Sequence, residues 1–586
     1  MSLLYVATII HLSLYSAQAV PVTANRHLDA LNNTIHGRLH TADPLAKPCF
    51  SLYQGQPVPV EPSACAEIQA HYTSSAYRTD IYSGFMHDYN ENCVSSTSPE
   101  TGQCLLDPTD PASIAAVTNT SCGQGSVSRY YIDVSGASDV QAAFAFARQT
   151  GTRLSIKNSG HDYASRSSLR GSLALWTRNL QQMRYRPDFV PQGCDPRTAS
   201  APAITVGAGV NFNQVYRFAD AHNVTFVGGS SPTVGASGGF TMSGGHGLLS
   251  SQYGLGVDRV LEFQIVTPDG RLRVANACQN RDLFWALRGG GGGTYGVVLE
   301  STSKVERGGP LVMAYIMLPT AETGAGTTMG FVKLLMDNAL RWAQEGWGGP
   351  NGLNYIAMVN PFVTVDEAER SLSTVAEYAL SHGGNVTIER LPSFLAVYEK
   401  YVAPTSNQGV GTASVATNRM VPNSMLESVA GRAAILNLLE RLVEAKLSPT
   451  LFATTPAYYS RHDPEAAEAT SANPAWRNST WMITTERSWA WNSTVAERRA
   501  FVQEMKRITT ELETLAPASG SYMAEADPWT TDWQQSWWGE HYGRLLEIKQ
   551  KYDPDGLLSC WRCVGWNEEW QQPGEAFDCM GGWLNT

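Results

Sequence analysis

Three glycine-dense turns carry the most chemical promise in this chain: Asn158-Ser159-Gly160, Gly228 to Gly247, and Gly289 to Gly296. Such turns let backbone N–H groups approach a ligand closely and cradle anionic oxygens. A single one is an ordinary tight turn. Three in one stretch point to an extended, phosphate-bearing ligand, and a diphosphate dinucleotide has the length. His161 follows the first turn, within Lys157-Asn158-Ser159-Gly160-His161-Asp162-Tyr163. An imidazole held in a Ser-Gly turn can serve as a nucleophile. On these residues alone it reads first as a side chain that hydrogen-bonds its own turn.

Three shorter matches are set aside on context. Gly291 to Gly296 fits GxGxxG, but the β-branched run Val297 to Thr302 follows it. A dinucleotide fingerprint needs a helix N-terminus there. Gly235-Ala236-Ser237-Gly238-Gly239 fits GxSxG, yet it lacks the strand before and the helix after that a hydrolase elbow requires. Cys560-Trp561-Arg562-Cys563 has neither a second CxxC nor a His pair to complete a zinc site, so no metal is expected.

The elements around these turns are legible from periodicity. Tyr130 to Val134 reads as a strand, Val140 to Gln149 as a helix ended by Gly151, and Arg153 to Ile156 as the next strand. Ala203 to Val206, Asn211 to His222, Val224 to Val227 and Arg259 to Thr267 continue the alternation. Beyond Gly308 come long helical stretches, Met329 to Gln344, Val365 to Ser381 and Ser424 to Ala445. Extended segments lie between them, Leu353 to Val359 and Trp481 to Trp489. A last helix spans Tyr542 to Tyr552. The expected organisation is a leader over 1–19, a disulfide-tied extension over 20–125, an α+β unit over 126–308, a second unit over 309–530, and a tail over 531–586.

Composition bounds the function. The 586 residues exceed one ordinary core, and 43% hydrophobic against 16% charged is globular. A net charge of −11 without a basic cluster argues against nucleic acid. Leu3 to Leu14 is too short to span a bilayer and precedes Ala17-Gln18-Ala19, which is spaced like a signal-peptidase site. Ten cysteines, and sequons at Asn32, Asn119, Asn223, Asn385, Asn478 and Asn492, agree with secretion. No later segment reaches membrane-spanning length. Nothing here sets an oligomeric state.

The motifs in their order resemble the vanillyl-alcohol-oxidase superfamily, in its berberine-bridge-enzyme-like branch. The segment 157–163 looks like that family's flavin-attachment loop. The resemblance runs through Ser231-Pro232-Thr233-Val234-Gly235, Tyr253 to Asp258 and Asp282 to Arg288. It resumes at Trp537 to Tyr542, Lys549 and Tyr552-Asp553-Pro554. Phrases such as NSGHDY and DWQQSWW look most like a secreted fungal subgroup often labelled isoamyl-alcohol-oxidase-like.

The resemblance implies an α+β fold: an FAD-binding domain of the PCMH type, a substrate domain with an antiparallel sheet backed by helices, and a returning tail. It implies FAD bonded covalently to His161. The contacts expected are Asn158, Ser159, Gly160, Ser231, Pro232, Thr233, Val234, Gly235, Gly238, Gly239, Gly256 and Val298. Many relatives add a cysteinyl tether just before Pro-Thr-Val-Gly; here Ser231 stands there, so a single link is expected. The family's Tyr-Asp-Pro-x-Asn-x-Phe tail has Gly556 and Leu558 at the Asn and Phe places. The implied reaction is a two-electron oxidation of a small organic substrate with O2 reduced to H2O2, and Tyr163 is the expected catalytic residue. Tyr458, Tyr459 and Glu486 are further candidates for the base. An oxidative cyclase or a quinone-linked dehydrogenase are the alternatives; a secreted hydrolase or binding protein is a remote one.

Overall fold

The computed structural model describes residues 22–93, 103–319, 324–405, 409–572 and 575–584. The leader expected over 1–19 lies outside them. Tyr130–Asp133 and Leu154–Lys157 flank Leu173–Trp176 in parallel, and Leu39–Thr41 adds an antiparallel edge. Parallel neighbours need a crossover. The helix Ala137–Thr150 supplies one, burying Val140, Ala143, Phe144 and Ala147 against Ile132 and Leu175. It stops at Gly151, whose φ of 71° only glycine adopts cheaply.

A second sheet of five antiparallel strands follows, ordered Leu272–Asn276, Val260–Val266, Val297–Lys304, Ala201–Gly207 and Met183–Phe189. Val297–Lys304 is thus the strand that its β-branched run predicts. The third sheet has seven antiparallel strands, among them Leu311–Met317, Tyr355–Asn360, Ala413–Pro422 and Ser479–Trp489. Ala325–Glu345, Val365–Ser381, Val429–Glu444 and Val495–Leu515 back it, and their apolar stripes form the largest core with its strands. Thr364 and Thr494 open two of these helices with full capping boxes.

Two expectations are corrected. The helix expected over Ser424 to Ala445 is broken at Ser428, which leaves helical geometry to cap the second piece by accepting from Gly431 N. The strand expected over Val224 to Val227 shrinks to Val224–Thr225, paired with Glu306–Arg307.

The tail packs against the second sheet's flank through Trp533, Trp538, Leu545 and Ile548. Trp538 Nε1 donates to Gly289 O at 3.0 Å, and Lys549 Nζ to Thr294 O at 2.7 Å, so the third glycine turn is held from behind. Lys549 also pairs with Asp553 at 2.6 Å.

Five disulfides tie the periphery: Cys49–Cys65, Cys93–Cys579, Cys104–Cys122, Cys194–Cys278 and Cys560–Cys563. No cysteine is free. Among the described residues no helix is long and apolar enough to cross a membrane.

The N-terminal extension does more than wrap. Residues 84–93 run between the first glycine turn and the strand Ala413–Pro422. Met86 N donates to Gly160 O at 3.1 Å, Gly411 N to Met86 O at 2.9 Å, and Asp88 N to Thr412 O at 3.0 Å. Beneath them the buried Arg78–Glu91 ion pair fixes the turn, with Phe85 N donating to Glu91 at 3.0 Å.

Candidate active site

The three glycine turns converge on one cavity. Asn158, Ser159, Gly160 and His161 form one side of it, and Ser231, Val234, Gly235, Gly238 and Gly239 another. Gly292, Gly293 and Val298 close the far end. Their glycines are there for contact. A Cβ on Gly235 or Gly238 would lie 2.7 or 2.6 Å from Asn158 Nδ2, and one on Gly292 would lie 2.9 Å from Gly239 Cα. Gly160 has φ +89°, and its Cβ would meet Gly84 O at 2.9 Å. No side chain fits between these turns.

The cavity is also lined with polar atoms that have no protein partner. Asn158 Oδ1, Ser231 Oγ and Ser237 Oγ are buried without a hydrogen bond. Orphaned groups of that kind are costly and call for a ligand. An extended molecule with both donors and acceptors satisfies them: a dinucleotide offers phosphate oxygens to the serine hydroxyls and hydroxyl or N–H groups to the Asn158 oxygen.

His161 stands at the cavity wall with Nε2 2.6 Å from Thr233 Oγ1. The other ring nitrogen makes no hydrogen bond among the described residues. Burial, and then the charge of Lys157, push the imidazole down to about 4, so it is neutral at ordinary pH. Lys157 is itself pushed down to about 7 by burial, under the rings of Phe85, Trp176 and Tyr82.

Tyr163 lines the cavity and donates to Glu486 Oε2 at 3.4 Å. Ser414 Oγ donates to the other oxygen of Glu486. Burial, then the nearby Glu486 and Glu525 charges, hold the phenol well above its usual range. Burial likewise raises the Glu486 carboxyl. Phenol and carboxyl are thus hydrogen-bonded partners.

Five of the residues expected at the site lie off the cavity lining. Thr233 stands behind His161 and orients it, being absent from the cavity wall. Pro232 uses its carbonyl to accept from Asn213 N at 3.1 Å, at the start of a helix. Gly256 sits one layer back, its N donating to Gly245 O at 2.7 Å, because Phe240 fills the space between. Tyr458 and Tyr459 lie on the helix Ala457–His462, where Tyr458 stacks on His462 and Tyr459 presses on Gly254. Neither tyrosine faces the cavity. Met86, His87, Gly409, Val410, Tyr522 and Glu525 do line it, and sequence patterning did not single them out. His246 backs Glu525 at 3.5 Å and bonds Thr454 Oγ1 at 2.8 Å.

Comparison with known proteins agrees with this geometry. Residues 128–276 match the FAD binding domain family, and residues 521–559 match the berberine and berberine-like family. The chain is 45% identical to an FAD-linked oxidoreductase of Aspergillus flavipes over 92% of this chain and 91% of that one. It is 46% identical to another of Pyricularia oryzae over 94% of each. The crystal structure of a VAO-type flavoprotein of Myceliophthora thermophila superposes with a TM-score of 0.78 at 27% identity, covering 94% of this chain and 97% of that one.

Proposed function

Since this chain belongs to the FAD-linked oxidoreductases of the vanillyl-alcohol-oxidase and berberine-bridge type, we propose that it is an oxidase of a small alcohol or secondary metabolite. Held by His161 and the glycine turns, FAD would supply a two-electron acceptor for the hydride of the substrate's C–H bond, with O2 as the terminal oxidant taking up two electrons and two protons as H2O2. The residues of this chain hold the cofactor and move the proton.

The observation that carries the reading is His161: a neutral imidazole fixed through Nε2 by Thr233, with its other nitrogen unbonded at the wall of a glycine-lined cavity. That state would suit a bond to the flavin 8α carbon, in which one methyl C–H and the ring N–H are replaced by N–C and O2 takes up the two electrons and two protons. Ser231 is the second half of the argument. Its hydroxyl cannot form the thioether that a cysteine would, so the link is single. As the substrate O–H loses its proton to Tyr163, the phenol passes its own to Glu486, which has two oxygens poised by Tyr163 and Ser414.

Secretion belongs to the same reading. It rests on the Ala17-Gln18-Ala19 site, on five disulfides, and on sequons whose asparagines at 119, 223, 385, 478 and 492 are all exposed. The test is acid precipitation of the purified protein followed by digestion. A yellow pellet and one flavin-bearing peptide containing His161 are expected; release of intact FAD would overturn the covalent link. H2O2 released from a panel of alcohols and phenols then identifies the substrate, and turnover only with an artificial acceptor would replace oxidase by dehydrogenase.

A further inference from the structure

We infer that His87, carried by the N-terminal extension, is a substrate-binding residue that hydrogen-bonds an oxygen of the substrate beside Tyr163. The assignment rests on the cavity being the oxidation site proposed above. It adds a group that lies far from the flavin-attachment loop in sequence.

His87 is 4% exposed, and its ring lines the cavity. A histidine kept for structure alone has its ring nitrogens bonded inside the protein. Here Nδ1 is sealed with no partner, and Nε2 makes no hydrogen bond among the described residues. The polar edge left to the cavity is therefore Nε2. Its ring centroid lies 4.1 Å from that of Tyr163, tilted by 40°, and both residues line the same cavity.

The mounting of this side chain is rigid. Bonds to Gly160 on one side and to Gly411 and Thr412 on the other grip the backbone from Met86 to Asp88. Behind the ring, Tyr89 OH donates to Tyr163 O at 2.6 Å, and Asn90 Nδ2 to Asp162 O at 2.6 Å. A binding group is best placed when its neighbours fix it before the ligand arrives. Burial and the neighbouring His161 keep the ring neutral, so it can donate or accept without carrying charge into the cavity. A hydroxyl or carbonyl oxygen is the partner that such an imidazole takes; a hydrocarbon gives it nothing.

Benzyl alcohol and toluene are the probes, since they share a ring and differ by a hydroxyl. Each is titrated into the FAD-loaded protein and read by perturbation of the visible flavin band. Wild type should bind benzyl alcohol roughly 5–10-fold more tightly than toluene, about what one neutral hydrogen bond supplies. His87→Phe should erase that preference while toluene binding holds, and His87→Asn should restore part of it. A yellow His87→Phe protein with the preference intact overturns the assignment and leaves the oxidase reading standing. A wild type that prefers neither probe also overturns it. A colourless wild type would remove both.

Discussion

At Tyr163 the structure puts a phenol on the cavity wall with the Glu486 carboxyl in hydrogen-bond contact behind it, and burial raises both groups above their ordinary ranges. Tyr163→Phe should keep its flavin and lose roughly 10²–10⁴-fold in turnover, the usual effect of a positioned acid or base. Full turnover in that variant would put proton transfer elsewhere in the cavity. The pH dependence follows from the sign of the Glu486 shift. A carboxyl raised by burial accepts a proton only above its raised value, so activity should fall on the acid side at a higher pH than an ordinary glutamate gives. Glu486→Gln should flatten that limb at a reduced rate; an unmoved limb would assign it to another group. Ser231→Cys addresses the second tether, and a second flavin-bearing peptide in its digest is the expected gain.

Among the elements, the sequence was most readable where local chemistry decides. Val365–Ser381 and Tyr542–Tyr552 begin and end where the periodicity puts them, because capping residues and Asp553-Pro554 set their ends. The three glycine turns were legible too, since close approach demands glycine whatever lies opposite. The break at Ser428 was less so: the apolar spacing continues through it, and only the serine marks it. Residues 84–93 were not legible at all. Their partners are Gly160, Asp162, Tyr163 and Thr412, so no local pattern records their role. That segment depends on Arg78 and Glu91, both fully buried and paired. Arg78→Met would leave the Glu91 charge uncompensated, and breaking such a pair costs about 3–5 kcal/mol. Denaturant titration should show that loss. A stability within about 0.5 kcal/mol of wild type, the scatter of neutral surface changes, would show that the segment is held by its other contacts.

Across the whole molecule, the candidate site draws on segments far apart in the chain. Met86 and His87 come from the N-terminal extension, Tyr163 from the first unit, Glu486 from the seven-stranded sheet and Glu525 from just before the tail. Cys93–Cys579 joins the N-terminal extension to the C-terminal tail, closing a loop of 486 residues in sequence separation. On the chain-entropy view such a cross-link acts on the unfolded state, and long loops reach about 4–5 kcal/mol. The other four bridges close loops of 3 to 84 residues and restrain much less chain. Cys93 lies three residues past Asn90, which holds Asp162 O, so this bridge also anchors the segment that carries His87. Cys93→Ser with Cys579→Ser should therefore lower the melting temperature more than loss of Cys194–Cys278 does. It should also weaken substrate binding through the loosened segment, while flavin already bonded to His161 stays in place. Equal melting losses for the two bridges, with unchanged KM, would mean that the termini are pinned by packing alone and that the bridge is incidental to the site.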